Sequence, residues 1–189
     1  AAWVELWHRG EDAVPANEFW ALAREEHLRN NCLWHEEDLA RVPDAGDARV
    51  AAVKRRIDRL NQERNDLIEK LDVYLAARLA AAGVSPPPDA PWNTETPAAA
   101  ADRLSILCLR LYHIREQVER EDAAPEHRRA CAEKLELLAR QKEDLVRALQ
   151  DLLDDLFAGR KQMKLYRQCK MYNDPNLNPA VYGAKKSKG

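Results

Sequence analysis

The sequence predicts an all-α protein: an antiparallel helical bundle of four to six helices with one long Pro-rich crossover and an extended C-terminal segment. Three observations predict it. Apolar residues recur at alternating steps of three and four over long stretches. Only six glycines occur in 189 residues, against abundant Ala, Leu, Glu, Arg and Lys, a balance that favours helix. Bounded runs of β-branched and aromatic residues with a period of two, the mark of strands, are missing.

The elements follow in order. A short helix is expected over residues 2–9. Pro15 then breaks the chain, and Asn17 caps a second helix over about 17–41. The stretch VPDAGD at 42–47 is a turn whose Asp47 can cap the next helix. That third helix, 47–82, has the clearest seam: Val50, Val53, Ile57, Leu60, Leu67, Leu71 and Tyr74. At 1.5 Å per residue it is about 50 Å long, and Gly83 stops it. Residues 83–97, GVSPPPDAPWNTETP, form a stiff crossover that cannot be helical. Thr96 caps a fourth helix, 97–121, with Pro97 at its first position. Its seam is Leu104, Leu107, Leu111, Ile114 and Val118. After the turn EDAAPE a fifth helix, 125–158, carries Leu135, Leu138, Leu145, Leu149, Leu152 and Leu156. Gly159 kinks or ends it, and RKQMKLYRQCKMY predicts a further helix over 160–172. The remainder, NDPNLNPAVYG, reads as extended, and the stretch YRQCKMYNDPNLNPAVY, stiffened by Pro175 and Pro179 and rich in hydrogen-bonding groups, is expected to dock on the bundle and cap one end. Residues 1–183 thus form one domain, and 184–189, with Lys185, Lys186 and Lys188, a basic disordered tail.

Composition excludes several classes. With 33% charged and 46% hydrophobic residues the chain is neither disordered nor membrane-like. No apolar run approaches the roughly 20 residues that cross a bilayer. The start, AAWVELWHRGEDAVP, lacks the basic and apolar regions of a secretory signal, so a cytoplasmic location is expected. The net charge of -2, with signs interleaved, gives no nucleic-acid surface. Cys32, Cys108, Cys131 and Cys169 form no CxxC pair, which points to free thiols rather than a zinc knuckle or disulfides.

Polar residues stand where apolar ones are due. On a helical wheel of residues 19–41, Glu25, Arg29 and Glu36 mark the solvent side. The opposite side holds Trp20, Ala23, His27, Asn31, Trp34 and Asp38, flanked by Asn30, Glu37 and Arg41. A helix that only packs would show Leu or Val there. The third helix repeats the oddity with Asn61, Arg64 and Asp72 near its buried centre and Asn65 and Glu69 at its edge. The fourth adds Arg103 and Arg110 beside its leucines, and Asp102, Ser105, Tyr112, His113 and Glu116 on its other face. Burying such groups unpaired costs several kcal/mol each. The acids and bases therefore have to meet, either as structural ion pairs or as the lining of a polar cleft.

Familiar chemistries fit poorly. The one Glu-x-x-His pair, Glu5 and His8, sits in the short first helix and reads as chance, so no metal or other cofactor is assigned. Glu69 and Asp72 form an ExxD, but the stretch Glu36-Glu37-Asp38 does not supply the matching ExxE of a helical nucleotide pyrophosphatase. Ser105 is a nucleophile candidate without an evident base. Tryptophan faces with Asn, Asp, Glu and Arg suit a sugar in kind.

Four stretches carry a resemblance: LWHEEDLAR at 33–41, IDRLNQERNDLIEKLD at 57–72, TETPAAAADRLSILCLRLYHIREQ at 94–117 and YRQCKMYNDPNLNPAVYG at 166–183. Over roughly residues 15–183 the chain resembles the bacterial domain-of-unknown-function family numbered 4254. Ala98 stands where that family has a glycine, and Arg110 where a lysine is common. The resemblance implies genomic company with glycosyltransferases of surface polysaccharide assembly, and so a glycosyltransferase as a partner. It also implies a shared signature of Trp34, Glu37, Asp38, Asn61, Asn65, Asp72, Glu95, Asp102, Arg103, His113 and Tyr172.

The resulting expectation is a protein that binds or acts on an anionic or hydroxyl-rich small molecule, such as a sugar phosphate or sugar nucleotide. His27, His113, Asp38 and Asp72 are the catalytic candidates, because imidazole titrates near neutral pH and a carboxylate can tune it. Asn30, Asn31, Trp34, Glu37, Asn61, Arg64, Asn65, Glu95, Asp102, Arg103, Lys170 and Tyr172 are the ligand-binding candidates. Two other classes stay open: a non-catalytic partner protein with a structural polar seam, and a metal-dependent nucleotide pyrophosphohydrolase.

Overall fold

The computed structural model of the chain describes residues 2–12, 14–167, 169, 174, 176–179 and 183. Among the described residues five helices follow one another: α1 (Ala2–His8), α2 (Glu18–Ala40), α3 (Asp47–Ala81), α4 (Pro97–Glu119) and α5 (Pro125–Phe157). Among the described residues there is no strand, and a single bridge joins Trp92 to Gln162. No helix is long and apolar enough to cross a membrane among the described residues.

The helix starts obey side-chain chemistry. The Asn17 carboxamide oxygen accepts from the Trp20 amide, and the Thr96 hydroxyl accepts from the Ala99 amide, each satisfying a donor the first turn leaves open. Helices α3 and α5 end alike. At Gly83 (φ 69°) the Val84 amide returns to the Leu79 carbonyl and the Gly83 amide to Ala80. At Gly159 (φ 69°) the Arg160 amide returns to Asp155 and the Gly159 amide to Leu156. This paired closure needs a left-handed residue, which glycine supplies without strain.

Two antiparallel hairpins make the bundle. In the first, Arg29 of α2 pairs with Glu63 of α3 at 2.7 Å, Arg56 of α3 with Glu36 of α2 at 2.5 Å, and the Phe19 ring packs at a tilt against Tyr74. In the second, Arg128 near the start of α5 donates to the Val118 carbonyl near the end of α4. The hairpins meet along α2, α3 and α4. Helix α4 runs parallel to α2, with Ser105 beside His27 and His113 beside His35, and antiparallel to α3.

Two apolar clusters mark the ends of the bundle. Leu33, Val53 and Ile57 close one end between α2 and α3, with Leu60 against them. Leu79, Leu152 and Leu156 close the other, sealed by Val84 and Met163. Polar side chains are buried between these clusters. The crossover lies over the second end, where the Gln162 carboxamide donates to the carbonyls of Pro87, Pro88 and Ala90.

Two expectations change. The helix expected over 160–172 does not form across its described part: Lys161–Arg167 run without helix. The glycine closure turns the chain away, and the Gln162 clamp then holds it against the crossover, so tertiary bonds override local propensity. Arg167 reaches Glu69 of α3 at 3.1 Å, which docks this segment on the bundle. Glu36, read as solvent-facing, is 6% exposed because Arg56 of α3 approaches and compensates its charge. Tyr172, Lys170 and the basic tail lie outside the described residues.

Candidate functional site

Helix α2 buries Glu26, His27, Asn30, Asn31, Leu33 and Glu36, so five of its six buried side chains are polar. The buried face is rotated from the expected one toward Glu26, Asn30 and Leu33. The expected face was centred on tryptophans, and these mark its rim: Trp20 is 49% exposed and Trp34 half-buried. Large amphipathic rings suit a rim better than a centre.

Asn30, 3% exposed, is the hub. Its amide nitrogen faces three acceptors: Glu26 of the preceding turn, Asp102 at 2.9 Å and Ser105 Oγ at 2.9 Å on α4. A carboxamide has two N–H groups, so one acceptor must share or find another donor. Its oxygen faces Arg64 Nη1 of α3 at 3.4 Å, and Arg64 lies 3.6 Å from Asp102. Three helices are thereby joined by one side chain.

Glu26 is 3% exposed. Burial, and then the hydrogen bond and charge of neighbouring Asp102, push its carboxyl up to about 9, outweighing Ser105 and Arg64. It is therefore a protonated acid at neutral pH, able to donate. His27 is held down at about 4 by burial, so it is a neutral imidazole. Its Nδ1 lies 2.7 Å from Ser105 Oγ. The base that Ser105 lacked in sequence is thus one helix away. Glu26 was not among the sequence candidates. An acid beside Asn30 one turn later was the available signal, but pairing it with Asp102 required the fold.

Two cavities flank this cluster. On one side lies a pocket of about 300 Å³ walled by Trp3, Phe19, Trp20, Leu71 and Leu104, with Glu26, His27 and Ser105 as its polar groups. Helix α1 contributes Trp3, whose ring lies 6.2 Å from His27. On the other side lies an open groove of about 390 Å³, lined by Asn30, Trp34, Glu37, Asp38, Arg41, Arg64 and Arg110, with Leu33, Ile106 and Leu109. Glu37 pairs with Arg41 at 3.1 Å. Arg110 and Asp38 have no ion-pair partner among the described residues, and Arg64 Nε is buried without a hydrogen bond.

The remaining candidates are distributed differently. Asp72 is buried and accepts from the Ala98 amide at 3.0 Å, holding the first turn of α4. Burial raises its carboxyl while Thr96 and that amide oppose the rise. Glu69 is engaged by Arg167. Both acids of the ExxD thus have structural partners. Asn31 is buried with its Oδ1 unbonded, Asn65 is buried and Asn61 half-buried on α3. Glu95 and Arg103 are exposed, and Arg103 lines neither cavity. His113 stacks on Trp34 at 4.6 Å and 11°, next to the groove.

The fold and this geometry define a class: a helical bundle whose mid-section is a buried polar junction between two cavities. A family model described as Protein of unknown function (DUF4254) matches residues 20–165, and the chain belongs to this family. No match occurs among curated proteins or among solved structures.

Proposed function

We propose that this protein binds a small, hydroxyl-rich anionic molecule, of the sugar phosphate or sugar nucleotide class, in the arginine groove. One observation carries the reading: residues of α2, α3 and α4 meet around one groove that holds both a cation, Arg110, and an acceptor, Asp38, with no ion-pair partner among the described residues. Arg64 and Arg110 suit a phosphate, since guanidinium forks match its oxygens. Trp34 offers a face for a sugar ring or base, and Asp38 and Glu37 accept from hydroxyls. The groove's size is that of a small-molecule site. Bacterial cytoplasmic residence, and service beside a glycosyltransferase in surface polysaccharide assembly, belong to this reading.

A second, catalytic reading rests on the pair across the cluster. His27 stays neutral at working pH and lies 2.7 Å from Ser105 Oγ, so it can take that proton, while protonated Glu26 can give one. Asn30, which lines the groove, bonds Glu26 and Ser105 of the pocket.

The test is calorimetric titration of phosphosugars and nucleoside-diphosphate sugars against the full chain. Arg110→Ala and Trp34→Ala are each expected to weaken binding at least tenfold, Arg110→Ala with unchanged melting temperature. Failure of every ligand in these classes to bind, or equal affinity in both variants, overturns the reading. Ser105→Ala abolishing turnover while leaving affinity intact supports the catalytic version.

A further inference from the structure

Three histidines from three helices face one another away from the buried junction: His8 at the end of α1, His35 on α2 and His113 on α4. Their ring centroids are separated by 5.4, 5.6 and 5.8 Å, a near-equilateral triangle. One ring nitrogen from each lies within 4.8 Å of the others. Three imidazoles on a tetrahedral ion at about 2.0–2.1 Å place their ring centroids about 5 Å apart. The observed triangle is wider by well under an ångström. His8 and His35 are exposed, and their side chains can close that gap.

The hydrogen bonds of two of these rings prepare them as ligands. A backbone carbonyl can only accept, so the 2.8 Å contact between His8 Nδ1 and the Val4 carbonyl places the His8 proton on Nδ1. Nε2 then carries the lone pair. His113 Nδ1 lies 2.8 Å from the Glu116 carboxylate, which fixes the same tautomer. His113 Nε2 is buried and has no hydrogen-bond partner. A carboxylate or carbonyl behind the ring and an open nitrogen in front is the arrangement of metal-bound histidine. Without an ion, an orphaned buried nitrogen costs free energy. The cluster also runs against charge, because three imidazoles repel one another once protonated.

The geometry points to a transition-metal site formed by His8, His35 and His113, with Glu116 as the group that orients His113. An all-imidazole set selects zinc-like ions over magnesium or calcium, which demand oxygen ligands. Three protein ligands leave the fourth position of a tetrahedral ion to water or a ligand atom. Because His113 stacks on Trp34 of the groove, the site stands at the groove's edge. The Glu5–His8 spacing is not what makes it: Glu5 pairs with Arg115 instead.

The test is titration of the metal-stripped full chain with Zn²⁺ by calorimetry and with Co²⁺ by visible absorption. One ion per chain is expected, with the intense d–d bands of a four-coordinate cobalt site. His8→Ala, His35→Ala and His113→Ala should each weaken binding at least a hundredfold, and Glu116→Gln tenfold to a hundredfold. His127→Ala, on α5, should change nothing. Should His113→Ala fail to fold, the exposed-site variants His8→Gln and His35→Gln carry the same expectation. Absence of saturable binding, or affinity that survives His35→Ala, overturns the site. So does an equal loss on changing His127, because the ion would then be held by scattered surface histidines.

Discussion

Helices α2 and α5 belong to the same bundle and are built on opposite chemistry. Helix α5 is strongly amphipathic: of its 33 residues only Cys131, Leu152 and Leu156 are fully buried, and its charged residues face water. Helix α2, ten residues shorter, buries Glu26, His27, Asn30, Asn31 and Glu36 beside a single leucine. One helix is held by removing apolar surface from water. The other is held by hydrogen bonds that work only when every partner is in place. A helix of the first kind tolerates change that keeps volume. A helix of the second kind must keep identities, and that is what a site requires.

This contrast can be broken or sharpened by substitution. The largest effect is expected from Leu156→Ala, 3% exposed in the end cluster. It should cost about 2–5 kcal/mol by urea unfolding and leave groove binding unchanged. Asn30→Ala comes next. It strips a shared donor from Glu26, Asp102 and Ser105, and should cost about 1–3 kcal/mol together with ligand affinity. Equal behaviour of the two variants toward ligand would erase the distinction.

Glu26→Gln should have a smaller effect at neutral pH and an informative one across pH. Folded Glu26 keeps its proton to about 9, against an ordinary 4.5. Native protein then binds more protons than unfolded chain between these values, so stability falls as pH rises through that window. His27 is lowered from 6.5 to about 4, so its contribution is complete above 6.5 and is lost as pH falls toward 4. The two slopes oppose each other below 6.5, and Glu26 acts alone above it. Wild type should therefore lose stability from about pH 6.5 to 9. Glu26→Gln should be flat there and should climb more steeply between about 4 and 6.5. A wild-type melting temperature independent of pH from 7 to 9 would show that Glu26 is ionised. The smallest effect is expected from Arg110→Ala: within about 0.5 kcal/mol of wild type in stability, with the tenfold loss confined to ligand.

Much of this architecture was legible in the sequence. The three-four seam from Val53 to Leu71 placed α3, and Asn17, Thr96, Pro97, Gly83 and Gly159 punctuated the helices as capping chemistry demands. The polar surplus on α2 was legible too, and it located the site region. Which polar group meets which was not. Glu26 and Asp102 are 76 positions apart, and no local pattern encodes that one of them keeps a proton. Glu36 looked solvated because Arg56, which covers it, belongs to another helix. His8 looked incidental, since its neighbours His35 and His113 come from two other helices. Residues 160–167 had helical composition, and the closure at Gly159 with the Gln162 bonds to the crossover carbonyls explains why they stay extended.

The junction around Asn30 draws Glu26 and Asn30 from the first hairpin and Asp102 and Ser105 from the second. A nick in the exposed stretch Pro87–Asp89 leaves each hairpin covalently whole. The two fragments should find each other again, because their mating faces carry a hydrogen-bond key in place of interchangeable grease. Reassembly should then discriminate sharply: a half carrying Asn30→Leu retains its greasy ends and still loses its mate.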